Sequence, residues 1–427
     1  MRVAPYVSLL RRNRDFRRLY AAQLTSFAGD WFATVALLGL ALELSGSPAV
    51  ASLVLVLQTG TFAAVSPLAG VLADRLDRRR LLVTADLARV PIALSFMLAR
   101  DAETLWIAFV AVTLLAAFGA SFEPASSASI PNLVGPGELR EANVLIGSAW
   151  GTMLAVGAAL GGFVAATLGR DAAFAVNAAS FALSALLIIG IRRPLQEERG
   201  AGDGQHAAGL SGIVSSVAIA IAFARQSRIV AAFLLSKTTF GVGTGVVLML
   251  AVFGRDVFGA GDAGIGILFA ARGLGALVGP FLARALVGHE DRGLLIGIAG
   301  SLVIATVCYA LFPLAPTIWL AAILVLAAHL GGGAQWMLST YGLQRAAPDA
   351  LRGRIFSFDY GLVTLTIALS TVLAGLLAEA YPPQIAVWVM VGLLSASGVM
   401  WVLFSRPVWR EPVGEVKRDR RRELPWP

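Results

Sequence analysis

Six ionisable residues lie inside otherwise apolar runs of this 427-residue chain: Asp30, Asp86, Arg89, Glu123, Lys237 and Arg272. A charge in hydrocarbon costs about 3 kcal/mol even on the mildest scales. Such a residue therefore faces water or a partner, and is a functional candidate by default. Gln23, Ser26, Asp30 and Thr34 recur at intervals of three and four, which puts them on one face of a helix. Counting 1.5 Å per residue from Leu19, Asp30 lies about 16 Å in, close to the middle of a bilayer. A carboxyl withdrawn from water resists ionisation, which suits Asp30 to picking up and releasing protons. The plainer alternative is a structural aspartate satisfied by neighbouring hydroxyls.

Asp86 and Arg89 fall one helical turn apart. Glu123, in Phe122-Glu-Pro-Ala, adjoins a proline that weakens the helix. A structural Asp86–Arg89 pair with Glu123 bonded nearby and a proton relay through these groups are equally good readings. Lys237 and Arg272 bring positive charge from the second half of the chain, as counter-ions for Asp30, for Glu123 or for an acidic substrate. Trp31, Phe32, Phe118, Phe122, Phe240 and Trp336 are the aromatic candidates for an apolar cavity wall. Nothing points to an enzyme: there is no H-E-x-x-H, no G-x-S-x-G, no cysteine–histidine arrangement and no Walker-type phosphate loop. The lone Cys308 excludes an intrachain disulfide and a cysteine metal cage, and His206, His289 and His329 are scattered. No metal and no cofactor are expected.

These residues are carried by twelve apolar stretches of about 20 residues, the length at which a helix crosses roughly 30 Å of hydrocarbon. They fall near 19–42, 49–72, 81–99, 105–127, 143–168 and 172–191, then near 229–253, 263–286, 294–312, 317–341, 357–380 and 384–404. Only 14% of the residues are charged, against about 25% in soluble domains. Of the 34 Lys and Arg residues, Arg89, Lys237 and Arg272 lie within spans. Arg100, Arg170 and Arg255 fall in the loops on one side, and all the others fall on the opposite side, Arg284 at that end of the eighth span. The positive-inside rule then places both termini in the cytosol. The net charge of +8 therefore reads as membrane topology, and nucleic acid is not expected as a partner. Residues 1–20 read as a cytosolic lead-in.

The predicted class is an all-α polytopic membrane protein of two six-helix bundles, over 1–191 and 229–405. Between them, 192–228 is a hydrophilic linker followed by an interfacial helix over 210–224, where Ile213, Val217, Ala220, Ile221 and Ala224 share a face. Residues 406–427 form a basic tail suited to anionic lipid. The halves echo each other. Gly70-Val-Leu-Ala-Asp-Arg returns as Gly279-Pro-Phe-Leu-Ala-Arg, 209 residues on, and Pro131-Asn-Leu-Val-Gly-Pro-Gly-Glu-Leu-Arg as Pro348-Asp-Ala-Leu-Arg-Gly-Arg, 217 residues on. A near-constant offset indicates a duplicated six-helix unit, as in many transporters.

The loop Gly70-Val-Leu-Ala-Asp74-Arg75-Leu-Asp77-Arg78-Arg79-Arg80 resembles the signature loop of the major facilitator superfamily, roughly G-x-L-A-D-R-x-G-R-R. Asp77 replaces the second glycine, which leaves the tight turn there unexplained. The arginines are expected to bind lipid phosphate, and the resemblance implies that Asp74 latches onto the start of span eleven, near Arg352 and Arg354. Span five, with Gly147, Gly151 and Gly157-Ala-Ala-Leu-Gly161-Gly162, is similar to the glycine-rich antiporter motif of drug exporters. Ala158 stands where that motif has proline, and close packing of small residues is the equal alternative. Gly29-Asp30, Asp86-Leu-Ala-Arg89, Arg140-Glu-Ala-Asn143 and Leu351-Arg-Gly-Arg354 resemble the exporter branch that includes macrolide efflux and enterobactin export proteins. The resemblance implies proton-driven export of amphiphilic small molecules across a bacterial inner membrane, by a monomer. Flipping of lysophospholipid without proton coupling is the runner-up.

Overall fold

The computed structural model describes residues 4–196, 210–287 and 290–410, with side chains at all of them except 4–5, 67–75, 136, 140, 147, 210–217, 349–350, 352–353 and 410. The linker core at 197–209, the tail at 411–427, His206 and His289 lie outside the described residues. So do the side chains of Asp74, Arg75 and Arg352 and the surroundings of Gly70 and Gly147. The helices are α1 (Ala4–Arg12), α2 (Arg14–Ser45), α3 (Pro48–Arg75), α4 (Arg78–Ser95), α5 (Leu105–Leu133), α6 (Leu139–Leu168) and α7 (Arg170–Ile189). They continue with α8 (Leu210–Gln226), α9 (Arg228–Gly243), α10 (Val246–Val252), α11 (Gly261–Leu286), α12 (Asp291–Leu311), α13 (Ile318–Ala346), α14 (Asp349–Ala380) and α15 (Pro383–Ser405). Twelve spans are long and apolar enough to cross a membrane, with α9, α10 and a following π turn forming one of them, Arg228–Val257.

Helix ends follow from local chemistry. The Asn13 side chain accepts from the Phe16 N–H at 3.0 Å, capping α2, while its Nδ2 donates to the Leu133 carbonyl at 2.8 Å and ties that cap to the end of α5. Gly46, at φ 65°, stops α2 in the left-handed conformation that favours glycine, so α3 begins two residues later. Asp77 resolves the departure from the signature loop: its backbone is extended (φ −63°) and its Oδ1 accepts from the Arg80 N–H at 2.8 Å, capping α4. No left-handed residue is needed there.

One expected span is broken. Residues 229–253 read as a continuous helix, but the chain turns at Thr244-Gly245 between α9 and α10. The Ser370 hydroxyl of α14 enters the break, accepting from the Gly245 N–H at 2.8 Å and donating to the Val242 carbonyl at 2.6 Å. In lipid, backbone groups freed by such a break must find a partner within the protein, and Ser370 supplies it.

Helices α2 to α7 pack chiefly on one another, as do α9 to α15, and the two sets meet along α6 with α11 and α3 with α14. The α6–α11 seam is built on glycine. A Cβ on Gly162 would lie 2.7 Å from Gly266 Cα, and one on Gly161 would lie 2.7 Å from Phe32 Cα in α2. The glycine motif thus brings backbones into contact, the close-packing alternative. Helix α6 runs unbroken past Ala158. Helix α8 packs against α9 and α14.

Candidate functional site

The first half gathers its buried charges around one guanidinium. Arg89 Nη2 donates to both carboxylate oxygens of Asp30, at 2.7 and 2.8 Å, and Nη1 donates to Ser26 Oγ at 2.9 Å and to Asp86 Oδ1 at 3.4 Å. The Phe181 ring lies 3.8 Å from Arg89 Cζ, so one face of the guanidinium rests on an aromatic π surface. Asp86 is fully buried while the Asp30 side chain keeps 27% exposure. Asp30 is thus the open side of the cluster and Asp86 the sealed side. Asp86 Oδ2 is buried without a hydrogen-bond partner among the described residues, beside a Ser184 hydroxyl in the same condition. A carboxyl O–H on that oxygen could donate to Ser184 Oγ, and a carboxylate there could accept from the Ser184 O–H. The polar face of α2 continues outward: Ser126 Oγ donates to Gln23 Oε1 at 3.3 Å, Gln58 Nε2 donates to Thr34 Oγ1 at 3.3 Å, and Thr34 Oγ1 donates to the Asp30 carbonyl at 2.7 Å.

Glu123 departs from its expected place. It is exposed on α5 and makes no ion pair or hydrogen bond among the described residues, so it is not bonded to the Asp86–Arg89 pair. It lies within electrostatic reach of Tyr360 on α14, whose ring packs 6.4 Å from Phe62 of α3. Glu123 and Tyr360, 41% exposed, thus face each other across the gap between the halves.

In the second half Lys237 is ion-paired with Asp359, both buried, and Trp336 covers the ammonium at 5.0 Å. Lys237 is therefore no counter-ion for Asp30 or Glu123. Asp359 escaped the sequence reading because span eleven was begun at 357, which left it looking like a boundary residue. Helix α14 starts at Asp349, so Asp359 sits about 15 Å inside it. Arg272 is different again: its guanidinium stands 5.8 Å from the Trp31 ring of α2 and 5.7 Å from Phe269, with no acidic partner among the described residues. Of the remaining aromatic candidates, Phe32 and Phe122 are buried and Phe118 is exposed. The Phe240 ring packs edge-on to His329 at 6.4 Å.

At the end opposite the termini an ion-pair cluster joins the halves. Arg170, the first residue of α7, donates from Nε to Asp262 Oδ2 at 2.7 Å and from Nη2 to Asp262 Oδ1 at 3.1 Å. It also reaches Glu43 at 2.8 Å, and Arg255 approaches the same Glu43 oxygen at 3.4 Å. Ser47 donates to Glu379 at 2.5 Å. This end is shut. At the other end, two of the signature-loop arginines bind backbone carbonyls. Arg78 donates to the carbonyls of Ala128 (2.8 Å) and Leu195 (3.2 Å), and Arg79 donates to that of Arg193 (2.8 Å). They satisfy chain ends of the first half, including the last turns of α5. Arg354 is exposed.

Residues 19–358 and 256–426 match the major facilitator superfamily. The chain is 28% identical to the multidrug efflux pump Tap of Mycolicibacterium fortuitum over 381 residues, 85% of this chain and 88% of that protein. A match to the MFS-type transporter YfiS of Bacillus subtilis strain 168, 27% identical, spans 44% of that protein, less than half its length. Among solved structures, a bacterial homologue of the human lysosomal transporter Spinster, inward-facing and unoccupied, superposes over 96% of this chain and 99% of that one. Its TM-score is 0.71 at 15% identity, a likeness of fold. Twelve spans in two bundles and a family match across nearly the whole chain make this a membrane transporter, not an enzyme, and a member of the major facilitator superfamily.

Proposed function

We propose that this protein exports amphiphilic small molecules of drug, macrolide or siderophore type from a bacterial cytosol by alternating access, in exchange for protons. The observation that carries the coupling is a charge count. Asp30 and Asp86 share the single cation Arg89, so two ionised carboxyls leave one uncompensated negative charge in apolar surroundings. One proton neutralises the cluster. The second half has no such excess at Lys237–Asp359, a balanced pair that serves structure. Asp30, the partly exposed member, takes the proton first, and the sealed Asp86 with Ser184 supplies a second resting place. Glu123 is a further acid, exposed to the gap.

The distribution of arginine puts the termini in the cytosol. With the far end shut by Arg170–Asp262, the gap then faces the cytosol, where substrate enters. Rocking about the α6–α11 and α3–α14 seams breaks that cluster, opens the gap outward and exposes Asp30 to external protons; protonation favours release of substrate. Purified protein in liposomes tests this. An imposed pH gradient should drive a fluorescent amphiphile against its concentration gradient, and collapsing the gradient with an ionophore should stop the uphill phase. Uphill movement that ignores the pH gradient would contradict proton coupling.

A further inference from the structure

Arg272 is a half-buried cation of the second half that makes no ion pair among the described residues. Its surroundings fix its direction. On α11, Gly273 lies against Ala155 of α6, and Gly275 lies against Leu326 and His329 of α13. Leu274 is exposed on the outer surface. At 100° per residue Arg272 stands 200° round from Leu274, so its side chain runs inward between α6 and α13, toward the gap between the halves. There it meets Trp31 of the opposite half and Phe269, and Trp31 in turn packs edge-on to Trp150 at 6.1 Å.

The guanidinium is half-buried, its Nε has no hydrogen-bond partner, and no carboxylate lies within ion-pair distance among the described residues. The facing polar groups from the packed helices are Tyr309 of α12 and His329 of α13, hydrogen-bonded to each other at 3.1 Å, and they supply no compensating negative charge. The other two cations named within the spans each hold an acid: Arg89 holds Asp30 and Asp86, and Lys237 holds Asp359. A fork of N–H donors with an open side, walled by indole and phenyl rings, matches a planar anion carried on an apolar body.

We propose that Arg272 is the anchor for an anionic group, a carboxylate or its like, of the transported amphiphile, with Trp31, Phe269 and Trp150 receiving the apolar part beside it. This rests on reading the gap as the substrate cavity and names the substrate class. The acids of the first half fit the same picture: Asp30 and Glu123 repel an anion placed in the gap when ionised and stop doing so when protonated.

Protein in nanodiscs of zwitterionic lipid, titrated with dansylaminoundecanoic acid and with its uncharged methyl amide, provides the test, empty discs giving the background. Wild type should bind the carboxylate at least about tenfold tighter than the amide, about 1.4 kcal/mol. Arg272→Gln should bring the ratio to about one while leaving the amide affinity within about twofold, and Arg272→Lys should retain a reduced preference. If the role of Arg272 were only to clamp the halves through Trp31, Arg272→Gln would lower thermal stability and leave the ratio unchanged, which overturns the inference. A wild-type ratio near one overturns it without any variant, so it stays testable if Arg272→Gln does not fold. Binding is read without a gradient, so the two proposals fail separately. Carboxylate preference without gradient-driven transport would sink the coupling alone, and coupled transport without preference would sink the anchor alone.

Discussion

The buried charges differ in what their removal should do. Lys237 and Asp359 are both buried and balanced, with Asp359 Oδ1 otherwise unpartnered. Breaking such a pair from one side leaves a lone charge in a low-dielectric interior and costs about 3–5 kcal/mol, whereas removing both costs far less. Lys237→Ala should therefore lower the melting temperature in detergent more than the double change Lys237→Ala with Asp359→Ala; additive losses would contradict a coupled pair. The intramembrane charges were legible because lipid makes each one conspicuous: Asp30, Asp86, Arg89, Glu123, Lys237 and Arg272 stand out of apolar runs without any structure. Their partners were not legible, since pairing is decided by which faces meet. Arg89 lies on the same helix as Asp86 yet spends both bonds of Nη2 on Asp30, 59 residues away. Lys237 reaches Asp359 across 122 residues.

At the scale of elements, the twelve spans were readable from length and hydropathy, while close packing was one of two readings of the glycines in span five. The break in span seven was not, because its cause sits 125 residues away in Ser370. A hydroxyl that satisfies a buried N–H and a buried carbonyl leaves both wanting when removed, at about 1–3 kcal/mol per group. Ser370→Ala should lower thermal stability accordingly, and an unchanged melting temperature would show the break to be satisfied by other means. The Arg170 cluster is the other element-scale device. Its bonds to Asp262 cross between halves at the shut end, so Arg170→Gln should populate the opposite state. Spin labels at Ala102→Cys and Thr317→Cys, with Cys308→Ala, report the separation of the far-side loops by pulsed dipolar spectroscopy. The variant should shift that distribution to longer distances; an unchanged distribution would mean that the seams, not the ion pairs, hold this end.

For the whole molecule, the charges inside the two halves differ in sign of excess. The first half presents Asp30 and Asp86 around Arg89, plus Glu123, and the second presents Arg272 beside a self-neutralised Lys237–Asp359 pair. Rigid bundles meeting on glycine seams can rock without melting, since backbone contact at Gly162–Gly266 leaves no long side chains to unlock. In the proposed cycle, protons bias the rocking through the first half, while substrate is held between the two. The most direct measurement compares uphill and downhill transport in the same proteoliposomes for wild type and Asp30→Asn. The neutral variant keeps the cavity and the fold but cannot exchange a proton at the open side of the cluster. It should lose uphill export under a pH gradient, by about tenfold or more, while a downhill component persists. Uphill export by Asp30→Asn at the wild-type rate would contradict the coupling assigned to this cluster.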